Sequence, residues 1–106
     1  MQQITSLPAK ALATGITGHY VHGEKSTLGL VILEEGSSVP PHQHPQEQIT
    51  YILEGSLQMV IDGKDCLLEP GMCHVIPSNV VHSAVALTPC RLIDVFSPVR
   101  EDYKPK

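Results

Sequence analysis

The chain has 106 residues, 42% of them hydrophobic, and a formal net charge of −4. This length predicts one domain over residues 1–106, large enough to bury roughly two-thirds of its unfolded surface. The acidic balance argues against nucleic acid as a partner. No apolar run is long enough to cross a membrane, and residues 1–13 lack the apolar core of a secretory signal. Three cysteines without a CxxC pair predict reduced, buried thiols in a cytoplasmic protein.

Short strands are predicted along nearly the whole chain, each bounded by Gly, Pro, Asn or Asp. Residues 7–14 are the exception and are expected to form a helical turn or an arm. The predicted strands cover residues 16–21, 28–33, 49–53, 57–61, 64–68, 73–76, 81–87 and 91–96. Asp62-Gly63, between two such runs, is the sharpest hairpin signal in the chain. This pattern indicates an all-β sandwich or barrel.

Two histidines lie two residues apart near the middle of the chain, at positions His42 and His44. In a β-strand, positions i and i+2 share one face, so both imidazoles are expected to reach one metal ion. Pro45 then ends the ladder because it has no N–H to donate. The spacing alone is a weak signal, since a lone strand histidine is more often a hydrogen-bonded core or surface residue.

The residues around this pair resemble the first motif of the cupin superfamily. In that motif a Gly precedes His-X-His by five residues, a Glu follows after three or four residues, and a second Gly comes six residues after the Glu. Gly36, His42, His44 and Gly55 fit this pattern, but the count back from Gly55 reaches Gln48 instead of a glutamate.

A second cupin motif is similar to the stretch that follows Gly71. Pro77 and His82 match that motif, whereas Asn79 stands where Gly is usual and Ala86 where Asn is usual. Asn79 fits a glycine position because Asn tolerates the left-handed backbone region. The two motifs together imply an all-β, single-domain cupin barrel, a jelly-roll-like double sheet. They also imply that three histidines bind one divalent metal: His42, His44 and His82.

The fourth metal ligand has two candidates, Gln48 and Glu47. Glu47 is the better ligand by charge, and it shares a strand face with the apolar Ile49, Tyr51 and Leu53. Gln48 is preferred because the count to the closing glycine of the motif fits it. Its mixed face is also expected of a barrel interior that holds a site.

Choosing Gln48 has a consequence for the charge of the site. Three neutral imidazoles and a neutral amide leave the double positive charge of a divalent ion uncompensated. Such a site favours a small anionic substrate, such as a carboxylate or enolate. The ligand set suits Zn, Ni, Fe, Mn or Cu and does not select among them.

If Gln48 faces the pocket, then Ile49, Tyr51 and Leu53 face away from it. A soluble monomer rarely leaves such an apolar patch exposed to solvent. Symmetric two-fold dimers are the commonest soluble oligomers, and small cupins, which this chain resembles, commonly pair through that sheet. The chain is therefore expected to form a homodimer. Residues 4–12 could cross onto the partner's sheet as an arm.

Near the C-terminus, Asp94 lies within an apolar strand and shares a face with Leu92 and Phe96. A buried carboxylate must be paired or protonated, since burying an isolated charge is costly. One interpretation ties Asp94 to a backbone N–H or to an arginine. The other makes Asp94 a general acid and base that faces the metal pocket.

The C-terminal run Asp-Val-Phe-Ser-Pro-Val-Arg-Glu-Asp indicates one group within the cupin superfamily. It is similar to the last strand and tail of the small cupins that linearise unsaturated uronates from pectin and alginate. This resemblance implies Gln as the fourth metal ligand and a substrate pocket lined by Asp94, Phe96 and Arg100. It implies conversion of a 4,5-unsaturated monouronate to its open-chain keto form. A cupin dioxygenase that uses Fe and a non-catalytic small-molecule-binding cupin remain alternatives.

Three further histidines are interpreted separately. His19 and His22 lie three residues apart on one predicted strand and therefore on opposite faces. His22 is expected to face solvent, while His19 is a candidate for the mouth of the pocket. His74 is expected to be structural.

Overall fold

The computed structural model describes residues 1–105. Those residues form ten β-strands and two single turns of 3-10 helix, Ile4–Ser6 and Glu101–Tyr103. The strands are β1 (Ala9–Ala13), β2 (Ile16–His22), β3 (Thr27–Leu33), β4 (Ser38–His42), β5 (Glu47–Glu54), β6 (Leu57–Ile61), β7 (Lys64–Leu68), β8 (Cys73–Ile76), β9 (His82–Ala86) and β10 (Cys90–Ser97). The all-β prediction is confirmed.

The ten strands form two antiparallel sheets. The larger sheet has the order β1-β2-β3-β10-β5-β8, and the smaller has the order β4-β9-β6-β7. A cluster of buried apolar side chains joins the two sheets, with Ile52, Leu57 and Ile76 among its most deeply buried members. None of the helices in residues 1–105 is long and apolar enough to cross a membrane.

Strand β5 shows the two-residue alternation that decides which side chains enter the barrel. Gln48, Thr50 and Ile52 are buried, whereas Ile49, Tyr51 and Leu53 are 39%, 43% and 41% exposed. The even-numbered residues of β5 therefore face the interior, and the apolar odd-numbered residues lie on the outer face of the larger sheet.

Two turns have the backbone conformation that their residues predict. Asp62 and Gly63 both have positive φ, +52° and +75°, and Ile61 pairs directly with Lys64 across the hairpin. A two-residue turn of this kind matches the twist of the strands that it joins. Asn79 also has a positive φ, +62°, as its place at a usual glycine position predicted.

The prediction for residues 7–14 was wrong. They contain β1, which pairs antiparallel with β2 of the same chain from Ala9 to Ala13, so they form neither a helical turn nor a free arm. Alternating alanines favour a helix by local propensity, but pairing with the edge of the sheet decides the outcome. Strand β4 was not among the predicted strand ranges, although His42 was expected to lie on a strand, and it contains two adjacent prolines, Pro40 and Pro41.

Candidate metal centre and substrate pocket

Three histidines converge at one end of the smaller sheet. His42 is the last residue of β4 and pairs in register with His82, the first residue of β9. Their ring centroids are 4.2 Å apart, and His44 brings its ring to 5.0 Å from that of His82. His44 lies in the loop after β4, so the expectation that His42 and His44 share one strand face was wrong. The loop, rather than the strand, directs the second imidazole inward.

Each of the three rings presents the same nitrogen to the backbone. The Nδ1 atom lies 2.9 Å from a main-chain carbonyl oxygen in every case, and the carbonyls belong to Pro40 for His42, Gln46 for His44 and Val80 for His82. A carbonyl only accepts, so Nδ1 carries the proton and Nε2 keeps its lone pair. One potential ligand atom from each ring lies within 4.8 Å of the others.

Gln48 completes this group from β5. Its Oε1 lies 3.0 Å from Nε2 of His44, while its Nε2 donates to Oγ1 of Thr50 and to Oδ1 of Asp94, both at 3.0 Å. With the amide held in this orientation, Oε1 of Gln48 faces Nε2 of His44, and both atoms are acceptors. A cation held by both atoms would satisfy both lone pairs, because imidazole nitrogen and amide oxygen can each donate a lone pair to a metal ion.

A second observation fits a metal as well. Nε2 of His82 is buried and has no hydrogen-bond partner among residues 1–105. Burial lowers the pKa of His82 to about 4. Burial also lowers the pKa of His44, and the positive charge of Arg100 lowers it further. Neutral imidazoles are the form that binds a metal. The donors present therefore suit a divalent transition metal, although they do not select one.

Glu47, the alternative fourth ligand, lies on the opposite face of β5 from Gln48 and is exposed. The two-residue period of the strand therefore directs its carboxylate away from the three histidines.

Asp94 lies beside Gln48 on the floor of the pocket. It is buried on β10 and pairs in register with Thr50 of β5. Its Oδ1 accepts hydrogen bonds from Thr50 Oγ1 at 2.7 Å and from Gln48 Nε2 at 3.0 Å. Burial raises the pKa of Asp94 to about 6, against the opposing effect of these hydrogen bonds. The tie to a backbone N–H or an arginine, one of the two interpretations of Asp94, is not among the hydrogen bonds of the described residues.

Arg100 follows β10 and is itself buried. Its Nε and Nη2 donate to the two carboxylate oxygens of Asp102 at 3.1 and 2.9 Å. The guanidinium carbon lies 3.8 Å from the ring centroid of Tyr103 and 4.7 Å from that of Phe96. The main-chain N–H of Arg100 donates to Thr27 on β3 at 2.9 Å. These contacts fix the guanidinium in one position with donors still free.

One cavity of about 350 Å³ joins these groups. Its walls include His42, His82 and Gln48 on the side of the histidines, and Asp94, Phe96 and Arg100 on the other. A volume of this order suits a small-molecule ligand. Potential metal ligands, a carboxyl group with a raised pKa and a buried cation therefore share one compartment.

The sequence model of the cupin domain matches residues 29–96, which include β4 to β9 and most of β3 and β10. The chain belongs to the cupin family. It is 37% identical to the pectin degradation protein KdgF of Dickeya dadantii over 71 residues. The aligned segment is 65% of this chain and 64% of that protein. The match thus spans just under two thirds of the length of that relative.

Two solved cupin structures are similar over nearly the whole chain. KdgF from a Halomonas species superposes with a TM-score of 0.87 at 31% identity, over 94% of each chain. An RmlC-like cupin from Shewanella frigidimarina superposes with a TM-score of 0.90 at 26% identity, over 97% of this chain and 94% of the other.

Two expectations about histidines outside the three-histidine cluster of this cupin were wrong. His22 lies on the inner face of β2, where its Nδ1 is 2.8 Å from Oγ1 of Thr27. His19 lies on the outer face, and its Nδ1 bonds the carbonyl oxygen of Leu7 at 2.9 Å. The register of β2 reverses the two predicted roles, and neither ring joins the three-histidine cluster.

The cysteines of this cupin differ from expectation in their burial. All three are free, but Cys90 is buried, Cys66 is half-buried and Cys73 is exposed. Cys73 lies on β8, the edge strand of the larger sheet.

Three residues of the pocket were missed as site residues: Tyr20, Thr50 and Tyr103. The alternation of β5 placed Thr50 on the face of Gln48, but only the pairing with β10 shows that its hydroxyl reaches Asp94. Tyr103 enters from the C-terminal 3-10 turn, which no periodic pattern predicts.

Proposed function

We propose that this cupin converts a 4,5-unsaturated monouronate, of the kind released from pectin or alginate, to its linear keto form with the help of a divalent metal. The observation that carries the proposal is the shared cavity. Asp94 and Arg100 line it together with the candidate metal ligands His42, His82 and Gln48. A sugar acid offers one carboxylate and several oxygens, which matches a site made of a metal, a cation and an acid–base group.

Similarity supports the same activity. A relative from Dickeya is named for pectin degradation and is 37% identical over the aligned segment. That segment covers 65% of this chain and 64% of the relative. The proposed roles of this chain's residues therefore rest on the geometry of the pocket.

A divalent ion of Zn, Ni, Fe, Mn or Cu, held by His42, His44, Gln48 and His82, would supply a Lewis acid for the substrate carboxylate and a neighbouring oxygen. Gln48 contributes no charge to this set, so the site keeps its preference for an anion. The hydrogen bond from Gln48 to Asp94 fixes the amide so that its oxygen, not its nitrogen, faces the histidines.

The proposed reaction is an isomerisation that consumes neither water nor an oxidant. The hydroxyl on C1 loses its proton, the bond between C1 and the ring oxygen breaks, and an aldehyde and an enol form. Return of a proton to C4 converts the enol to the ketone. Asp94 is the group proposed to accept the first proton and deliver the second. Its raised pKa, about 6, suits both roles near neutral pH.

Arg100 and Phe96 are proposed to hold the substrate. Two of the five guanidinium N–H groups donate to Asp102, and Tyr103 is a further side-chain partner of the guanidinium. The remaining donors can bind an anionic or hydroxyl oxygen of the substrate. Phe96 is buried beside His44, with ring centroids 5.6 Å apart, and offers an apolar surface to the face of the sugar. The ion pair with Asp102 keeps Arg100 in place without a substrate.

The test uses the metal-loaded protein and an unsaturated galacturonate. Conversion removes the double bond conjugated with the carboxylate, so ultraviolet absorbance should fall as the keto product appears. Oxygen consumption with Fe but not with Zn or Ni would support a dioxygenase instead. Binding of uronates without any turnover would support the non-catalytic alternative.

We also propose that residues 1–106 form one such domain and that two copies pair in the cytoplasm. The outer face of β5 supports pairing, since Ile49, Tyr51 and Leu53 are all exposed there. Free thiols throughout the described chain are typical of a reducing compartment. Because β1 pairs within its own chain, the proposed dimer does not depend on an exchanged arm.

A further inference from the structure

Tyr20 is a buried pocket residue to which the proposed reaction assigns no role. It lies on the inner face of β2, is 7% exposed and lines the same cavity as Asp94 and Arg100. Its ring packs against Tyr103, with centroids 4.8 Å apart. Tyr20 therefore contributes to the wall beside Arg100, whose guanidinium stacks on that same Tyr103 ring.

Two glycines make room for the ring of Tyr20. Gly18 lies two residues earlier on the same face of β2, and Gly29 is the directly paired residue of β3. A Cβ atom at Gly18 would come within 2.5 Å of the phenol oxygen, and one at Gly29 would collide with the ring carbons. Neither glycine has the positive φ that would require it for backbone reasons. Close approach of the ring therefore explains both glycines.

No hydrogen bond joins the hydroxyl of Tyr20 to residues 1–105, and the hydroxyl is not among the fully enclosed polar atoms that lack a partner, which are Gln46 Oε1 and His82 Nε2. The oxygen of Tyr20 is therefore reachable from the cavity that its side chain lines. Burial, together with the neighbouring Tyr103 and Asp94, raises the pKa of Tyr20, so the hydroxyl remains a neutral donor. It thus lies at the cavity as a neutral donor that is free to bond a ligand oxygen.

We propose that Tyr20 is a substrate-recognition residue whose hydroxyl donates a hydrogen bond to an oxygen carried by the sugar ring. The proposal rests on the proposed function for its substrate class and extends it. It predicts that the pocket distinguishes hydroxylated ring acids from apolar ring acids of similar size. A site built to bond a hydroxyl rejects an analogue that lacks one, because its own polar group is then left unpaired.

The test compares Tyr20→Phe with the unmodified protein, both loaded with metal. Calorimetric titrations with galacturonate, which has ring hydroxyls, and with cyclohexanecarboxylate, which has none, measure the contribution of the hydroxyl. Tyr20→Phe should bind galacturonate about tenfold more weakly, as expected for one hydrogen bond, and should bind cyclohexanecarboxylate unchanged. The value of kcat/KM for an unsaturated uronate should fall by about the same factor.

Two further variants separate recognition from folding. Tyr51→Phe removes a hydroxyl from the exposed outer face of β5 and should alter neither titration. Gly29→Ala should displace the ring of Tyr20 and weaken galacturonate binding while the metal content stays the same. The melting temperature of Tyr20→Phe should equal that of the unmodified protein, because no internal hydrogen bond is lost.

The outcomes distinguish this proposal from the proposed function. Equal galacturonate affinity in Tyr20→Phe and the unmodified protein would overturn the role of Tyr20, and so would an equal loss for both ligands. If the unmodified protein binds galacturonate but converts no unsaturated uronate, the proposed function fails and the titrations alone decide the role of Tyr20. If it binds no galacturonate but converts an unsaturated uronate, the proposed function stands, and an unchanged kcat/KM in Tyr20→Phe would overturn the role of Tyr20.

Discussion

The side-chain amide of Gln48 donates to Oδ1 of Asp94 at 3.0 Å, across the junction of β5 and β10. A carboxylate accepts but does not donate, so this contact assigns the nitrogen of the amide to Asp94. The oxygen is left 3.0 Å from Nε2 of His44. The proposed acid–base group thus orients the proposed fourth metal ligand, and the two roles are coupled by one hydrogen bond.

The first prediction concerns the metal. His82→Ala should lose most of the bound metal, because it removes a buried Nε2 that has no other partner in the described chain. Elemental analysis of the purified variant measures this loss. His19→Ala is the matched control, since His19 bonds Leu7 on the outer face of β2 and should leave the metal content unchanged. Stoichiometric metal of unchanged affinity in His82→Ala would show that the ligands are misassigned.

The second prediction separates two neighbouring side chains of β5. Gln48→Ala should weaken metal binding, since it removes the oxygen that lies beside His44. Glu47→Ala should not, because Glu47 is exposed on the opposite face. Metal titrations of the two apo-proteins compare them directly. The reverse order of affinities would mean that the carboxylate, and not the amide, reaches the ion.

The third prediction concerns proton transfer. Asp94→Asn should lower turnover of an unsaturated uronate by roughly 10²–10⁴-fold, the usual effect of losing a general acid or base. Asparagine retains an oxygen that can accept from Gln48, so folding and metal content should be preserved. Circular dichroism and elemental analysis provide those controls. Near-normal turnover by Asp94→Asn would exclude Asp94 as the proton-transfer group.

The fourth prediction concerns the support of that carboxyl group. Thr50→Val keeps the shape of the side chain but removes the hydroxyl that donates to Asp94 at 2.7 Å. The free energy of unfolding should fall by about 1–3 kcal/mol, because a buried polar group loses a partner. Urea denaturation measures the change. Thr17→Val, on the opposite face of β2 from Tyr20, should have little effect; equal losses in both variants would argue against a special role for Thr50.

The fifth prediction concerns assembly. Light scattering of the unmodified protein should give twice the mass of one 11.5 kDa chain at micromolar concentration. Replacing Tyr51 and Leu53 together with lysine places two charges on the exposed apolar face of β5 and should yield monomers or insoluble protein. A monomeric mass for the unmodified chain would contradict the proposed homodimer.

The sequence predicts most of the fold because turn residues and the two-residue alternation are local signals. Asp62-Gly63 is one example, since its positive φ angles are those that the hairpin requires. Strand β1, residues 9–13, could not be predicted from local signals. Its extended structure depends on pairing with β2 and not on the strand propensity of its own residues.

The candidate site is predictable to a similar extent. Counting within a motif selected Gln48 as the candidate ligand, and the two-residue period of the strand places its side chain on the inner face of β5. The position of His44 on a loop and the pairing of Arg100 with Asp102 depend on irregular backbone, which has no period. The space that Gly18 and Gly29 leave for Tyr20 depends on register between two strands. Such relationships become visible only once the sheets are assembled.

The most direct test of the metal-dependent activity is proton magnetic resonance of an unsaturated galacturonate mixed with the protein before and after metal removal. The metal-loaded protein should convert the vinyl proton signal of the substrate into signals of the open-chain keto form. The chelator-stripped protein should be inactive and should recover when a divalent metal is restored. Equal conversion rates with and without metal, or no conversion by the loaded protein, would contradict the account.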